Sequence, residues 1–248
     1  MVYLELVPGS GPEWTGMVAE TLATYPFLSG INIPDIMRIS VRSVDAAERV
    51  SRMGFSAIPH IRAMDRDIPT ALQMIGRLRD AGISSVLVVS GDAPQNPSAV
   101  CFPVSSEALI SAIKGAYPDM LVYAALDPYR QSIREELAYC KRKQEAGADG
   151  FFTQPFFDPR LAEIYLEQLR NTTVFLGIAP VITENSARYW MTTNHVVFPA
   201  KFSLTLEDNA GLSRELMNLA TRYDQHVYLM PIKVPVHAYL NALGTVPS

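Results

Sequence analysis

The sequence predicts an α/β fold of the closed (β/α)8 type, a TIM barrel built as one domain. Short apolar runs rich in Val, Ile, Leu and Phe alternate with amphipathic segments of helical length along the whole chain, the rhythm of parallel strand-helix units. Eight such runs occur, which is the barrel number. The first run leads into Val7-Pro8-Gly9-Ser10-Gly11-Pro12, which lacks the glycine spacing that an open nucleotide-binding sheet carries after its first strand. At 248 residues, with 48% hydrophobic and 19% charged side chains, the chain is long enough for one barrel core.

In order, strands are expected at 2–7, 28–33, 56–61, 84–89, 120–125, 150–153, 173–178 and 226–230. Ser43 is expected to cap a helix carrying Val44, Ala47 and Val50, and Asp158 with Pro159 to open one carrying Leu161, Ile164 and Tyr165. Gly54 and Gly82 are expected to stop two helices. The segment 196–223 breaks the rhythm: 196–202 reads as extended and 206–223 as helical, an elaboration ahead of strand eight. No linker, repeat or low-complexity tract divides residues 1–248.

The formal charge of −4 is spread over interspersed residues with no basic stripe, so nucleic acid is not expected as a partner. Cys101 and Cys140 have no paired spacing, which argues against a disulfide framework or a zinc site and for a reducing compartment. Residues 1–8 show no basic region followed by a long apolar stretch, so neither a signal peptide nor a membrane anchor is expected. A cytoplasmic protein follows.

In such a barrel, chemistry sits at the C-terminal ends of the strands. Glu5 lies between Leu4 and Leu6, and alternation puts it with Tyr3 and Val7 on the other face. A carboxylate inside the mouth is costly without a task or a partner; pairing with a basic residue at the rim is the plain alternative. Strand three brings His60 and strand four Gly91-Asp92, where a structural hydrogen bond and a loop cap are the ordinary readings. After strand five, Glu136, Tyr139 and Lys143 share one helical stripe, which by itself reads as a solvated charged face. Strand six runs into Phe151-Phe152-Thr153-Gln154-Pro155-Phe156-Phe157; core packing explains the aromatics, while the lone amide of Gln154 suits the polar edge of a planar heterocycle.

Leu4-Glu5-Leu6-Val7-Pro8, Pro59-His60, Gly91-Asp92-Ala93-Pro94, Lys141-Arg142-Lys143 with Ala146-Gly147-Ala148-Asp149, Thr153-Gln154 with Phe156-Phe157-Asp158, and Gly177-Ile178-Ala179-Pro180-Val181 occur in this order. In order and spacing the set resembles the methylenetetrahydrofolate reductase family, and its most specific part is the stretch from Ala146 to Asp158.

The resemblance implies an oxidoreductase of one-carbon metabolism and methionine biosynthesis. It would reduce 5,10-methylenetetrahydrofolate to 5-methyltetrahydrofolate with hydride from NADH or NADPH, through bound FAD. By the same resemblance Glu5 is the acid, Asp92 lies near both folate and flavin, and Gln154 holds the pterin. His60, Asp92, Tyr123, Asp127, Glu136, Arg142, Lys143 and Gln154 fall at cofactor positions. The match departs at Ser90, where flavin-binding members carry Arg, at Asp127 in place of His, at Tyr139 in place of Asn, and at Pro231-Ile232 in place of Asn and Arg. These departures open two alternatives: direct hydride transfer from NAD(P)H without flavin, and a non-catalytic folate-binding subunit beside a methyltransferase. Homo-oligomerisation or a methyltransferase partner is compatible with each reading.

Overall fold

Eight parallel strands form a closed ring in chain order, the last pairing with the first. The computed structural model describes residues 1–91 and 100–244. The strands are β1 (Val2–Glu5), β2 (Gly30–Ile33), β3 (Ala57–Arg62), β4 (Ser85–Val89), β5 (Leu121–Leu126), β6 (Gly150–Pro155), β7 (Thr173–Ile178) and β8 (His226–Leu229). Each overlaps one of the apolar runs read from the sequence. The described helices are α1 (Pro12–Thr24), α2 (Ser43–Arg52), α3 (Ile68–Asp80), α4 (Ser106–Ala116), α5 (Ile133–Glu145), α6 (Pro159–Gln168), α7 (Glu184–Thr193), α8 (Leu206–Arg222) and α9 (Val236–Leu243). None is long and apolar enough to cross a membrane.

Asp158 caps α6 by accepting from the Arg160 amide, ahead of Pro159 in the first turn. Gly54 and Gly82 follow α2 and α3 with φ of +84° and +81°, the left-handed exit that an L side chain resists. Ser43 corrects one expectation. It is the first residue of α2, not its cap: its hydroxyl donates to the His60 carbonyl at 2.6 Å and its amide to Asp35 at 3.3 Å, so it ties the helix to β3. Residues 196–202, read as extended, hold no strand.

Strand alternation sorts the core into two layers. Leu4, Ile31, Ile61, Val88, Val122, Phe151 and Leu176 face outward against the helices, together with Leu216 and Leu219 of α8. Tyr3, Ile58, Leu87, Tyr123, Phe152, Phe175 and Tyr228 fill the barrel interior. Phe152 and Phe175 stack at 4.1 Å, and the Tyr123 ring meets their edges at 5.3 and 5.2 Å. Rings of this size bury the most apolar area per residue and leave no channel through the barrel. Beyond β6, Phe157 packs on Trp190 of α7 and on Phe198 and Phe202 of the connection to α8.

β6 reaches two residues further than its apolar run suggested, and its pairing with β7 shifts register between Phe152 and Pro155. The Thr153 hydroxyl fills the gap by accepting from the Gly177 amide at 2.8 Å. An irregularity of this kind re-aims a side chain next to a site, and the residue inside it is Gln154.

The stacked pair makes the interior layer sensitive to truncation. Phe175→Ala is expected to lower the unfolding free energy by about 3–5 kcal/mol, as phenylalanine truncation in a packed core does. Urea denaturation checks this, and a loss below about 1 kcal/mol would mean that the layer repacks freely.

Candidate active site

At the C-terminal end of the barrel the interior face turns polar. Glu5 ends β1, Asn32 lies opposite it in β2, and Tyr228 stands in β8, the strand that closes the ring onto β1. The Tyr228 hydroxyl donates to Glu5 Oε2 and lies 3.3 Å from Asn32 Oδ1. His60 Nε2 bonds the same Asn32 oxygen, so that nitrogen carries the hydrogen. Four strands thus contribute to one cluster. Among the described residues, Asn32 Nδ2 finds no hydrogen-bond partner although the residue is fully buried.

Burial controls the protonation of this cluster. The Glu5 residue keeps partial access to the mouth, yet desolvation lifts its carboxyl to about 7, against the opposing pull of the Tyr228 hydrogen bond. Burial pushes His60 down to about 3, leaving a neutral imidazole, and drives the Tyr228 phenol well above its usual range. The group able to exchange a proton near neutrality is therefore the carboxylic acid.

Gln154 stands near the C-terminal end of β6 and is exposed. Around the ring, Tyr3 pairs with Tyr228, Tyr228 with Gly177, and Gly177 with Pro155. Glu5, Tyr228, Gly177 and Gln154 hence follow one another along the arc of β1, β8, β7 and β6. Gly177 is required there: a Cβ would fall 2.4 Å from the Thr153 carbonyl oxygen, 2.8 Å from that of Gln154 and 2.7 Å from Met230 Cε. Asp92 lies outside the described residues. Its neighbour Gly91 has φ of +90° and sits where a Cβ would approach the Arg62 guanidinium to 3.1 Å.

The corner at β5 is different. Tyr123 is 6% exposed and belongs to the interior ring layer. Glu136 is fully buried and accepts from the Asp127 amide at 3.1 Å, Arg130 at 2.7 Å and Gln131 at 2.7 Å. Asp127 accepts from the Tyr129 amide at 3.0 Å, and burial raises its carboxyl. Lys143 is 3% exposed: its Nζ donates to the Ala125 carbonyl at 2.5 Å and lies 3.7 Å from the Tyr139 ring centre. Burial depresses it to about 8. Arg142 reaches solvent, pairs with Glu107 at 3.7 Å and stacks 4.9 Å from Tyr139. The stripe of Glu136, Tyr139 and Lys143, which in isolation read as a solvated face, is instead the internal frame of the β5-to-α5 turn.

Sequence reasoning passed over Tyr228, Asn32 and Arg62. A usable signal existed for Asn32 and Arg62. Asn32 interrupts Ile31 and Ile33, and alternation puts His60 and Arg62 on the face of Ile58. Arg62 is buried and donates to Asp65 at 3.0 Å, and Arg42 joins Asp65 at 2.6 Å to Asp35 at 2.5 Å. A cavity of about 350 Å3 lies apart from Glu5 and Gln154, between the starts of α6 and α8, walled by Phe157, Pro159, Pro199, Phe202 and Leu212.

Comparison with known proteins gives a consistent picture. The family profile described as methylenetetrahydrofolate reductase matches residues 28–221. The 5,10-methylenetetrahydrofolate reductases of Salmonella typhimurium (strain LT2) and Escherichia coli (strain K12) are each 24% identical, over 216 and 219 residues, covering 79% of this chain and 73% of theirs. Among solved structures, 2,3-dimethylmalate lyase superposes with a TM-score of 0.62 at 13% identity, covering 98% of this chain and 78% of that one. Orotidine 5'-phosphate decarboxylase from Pyrococcus horikoshii OT3 gives 0.57 at 13% identity, covering 98% and 97%. Likeness at such identity speaks for the barrel alone.

The Glu5 environment has a measurable consequence for folding. The folded protein holds this proton up to about pH 7, whereas an unfolded chain releases it near the ordinary glutamate value of about 4.3. Folding therefore takes up a proton between those values, and stability falls as pH rises through the window. Glu5→Gln keeps the acceptor for Tyr228 and removes the titration. Its unfolding free energy relative to wild type is expected to climb between pH 5 and pH 8, by an amount on the order of 2 kcal/mol. A difference that stays constant with pH contradicts a protonated Glu5.

Proposed function

The chain belongs to the methylenetetrahydrofolate reductase family, and from that premise we propose that it reduces 5,10-methylenetetrahydrofolate to 5-methyltetrahydrofolate with hydride from NADH or NADPH. The observation that carries this reading is Glu5, a carboxyl whose proton is retained to about pH 7 on the same mouth as the open amide of Gln154. Opening the one-carbon bridge breaks the bond from carbon to N10. N10 must gain a proton as it departs, and the N5 iminium left behind accepts hydride. An acid poised near the working pH does this best.

In this reading Tyr228 engages Glu5 Oε2, so the transferable proton sits on Oε1. Tyr228 is a positioning residue for that carboxyl, and His60 is held beside it on the Asn32 oxygen. Gln154 would meet the pterin edge with its paired donor and acceptor. Asp92 keeps the role that the family resemblance gives it, as a second carboxylate near the folate. The absence of a membrane-length helix among the described residues suits an enzyme of the cytoplasm, where reduced folates and nicotinamides meet.

FAD, when bound, would supply a two-electron relay between nicotinamide and folate. Four of the side chains that resemblance assigns to it, His60, Tyr123, Glu136 and Lys143, do not fit that task. Tyr123 is packed in the interior layer, Glu136 is sealed by three donors, and Lys143 is held on the Ala125 carbonyl. His60 is engaged with Asn32, and Arg142 alone of the two cations reaches solvent.

Two variants test the assignment. Glu5→Gln should lower kcat by about 10²–10⁴-fold with folate affinity largely kept, and unimpaired turnover would refute it. Tyr228→Phe removes a hydrogen bond that lowers the Glu5 value, so the basic limb of the kcat profile should move to higher pH while kcat falls. An unmoved limb would detach Tyr228 from the acid.

A further inference from the structure

Resting on the reductase reading above, we infer that hydride passes directly from nicotinamide C4 to the one-carbon unit of the folate, with no resident flavin between the two. A flavin dinucleotide needs cations or free amides for its pyrophosphate and side chains able to turn toward its ring and chain. At the β5 corner those groups are already engaged with the protein. For Lys143 to reach a phosphate, its ammonium would have to leave the Ala125 carbonyl, 2.5 Å away, and the Tyr139 ring above it. Both would then be left unmatched inside the fold, at the cost of an orphaned buried acceptor.

The remaining features of this corner point the same way. Arg142 is flanked by Glu107, which also lies 3.5 Å from the Tyr139 hydroxyl, so a carboxylate already answers the exposed cation. Glu136 sits beneath with no exposure. The Tyr129 hydroxyl donates to the Pro155 carbonyl at 3.0 Å, tying the β5-to-α5 turn across to the end of β6. That arrangement is a braced turn whose charged groups are matched internally, although the Tyr165 hydroxyl beside it is buried without a partner among the described residues.

The opposite arc is unbalanced in a way that invites a ligand. Asn32 Nδ2 is buried without a partner, the Gln154 amide is exposed, and Glu5 holds a proton it can give. These groups provide for one reduced heterocycle lying across β6, β8, β1 and β2. A nicotinamide against that heterocycle completes the chemistry without a relay. The carbon–N10 bond breaks as N10 receives the proton from Glu5 Oε1, and NAD(P)H gives its C4 hydride to the iminium carbon left on N5. The products are 5-methyltetrahydrofolate and NAD(P)+, and solvent later returns one proton to Glu5.

Isotope tracing decides between the two routes, because hydrogen on a reduced flavin nitrogen exchanges with water whereas hydrogen on nicotinamide carbon does not. Turnover with NADH or NADPH deuterated at either face of C4 should place deuterium in the product methyl from one of the two epimers. Turnover with unlabelled nicotinamide in D2O should place none. FAD or FMN added in excess of the purified protein should keep the fluorescence of the free flavin. Label lost to solvent, or a co-purified flavin that NADH bleaches, would overturn direct transfer and leave the reductase assignment standing. Absence of turnover with both nicotinamides would overturn the reductase assignment, and direct transfer with it.

Discussion

The hydrogen bond from Tyr228 to Glu5 is the contact around which the mouth of this barrel is organised. A carboxyl that donates a proton near neutrality must be dry enough to keep it and accessible enough to release it. Ring closure meets both demands: pairing of β8 with β1 brings Tyr228 alongside Glu5, and the aromatic layer of Phe152, Phe175 and Tyr123 beneath seals the barrel from below. Without that layer, water would solvate the carboxylate and return it toward its ordinary value. The phenol then selects one oxygen, so the proton that remains has a fixed place.

Two kinds of polar cluster share the C-terminal face, and they differ in how completely they are satisfied. Around Glu136 and Lys143, and around Asp35, Arg42, Asp65 and Arg62, each charge meets a charge or a carbonyl at hydrogen-bond distance. Such internal networks fix loop geometry, and breaking one partner leaves a buried group uncompensated. At the Glu5 cluster the buried Asn32 Nδ2 has no partner among the described residues. A fold tolerates an unmatched buried polar group where a ligand completes it, and there the unmatched amide stands beside a carboxyl able to give a proton.

Much of this could be read in the chain itself. Strand positions were accessible because fully buried parallel strands appear as apolar runs, and Glu5 and Gln154 stood out because each interrupts such a run. For Glu5 the interior facing followed from alternation alone. What the sequence withheld were commitments made across the fold. Ser43 looks like a helix cap until the His60 carbonyl claims its hydroxyl; Lys143 looks like a phosphate ligand until the Ala125 carbonyl claims its ammonium. Tyr228, some 220 residues from Glu5 in the chain, reaches it only because the barrel closes.

The proton on Glu5 can be titrated in place. Infrared difference spectroscopy of wild type against Glu5→Gln isolates the carbonyl stretch of a single protonated carboxyl. On this account the band persists through mildly acidic pH and disappears with a midpoint close to 7. Its disappearance near the ordinary glutamate value of about 4.3 would contradict the account, since Glu5 would then be an ionised rim carboxylate with no proton to give.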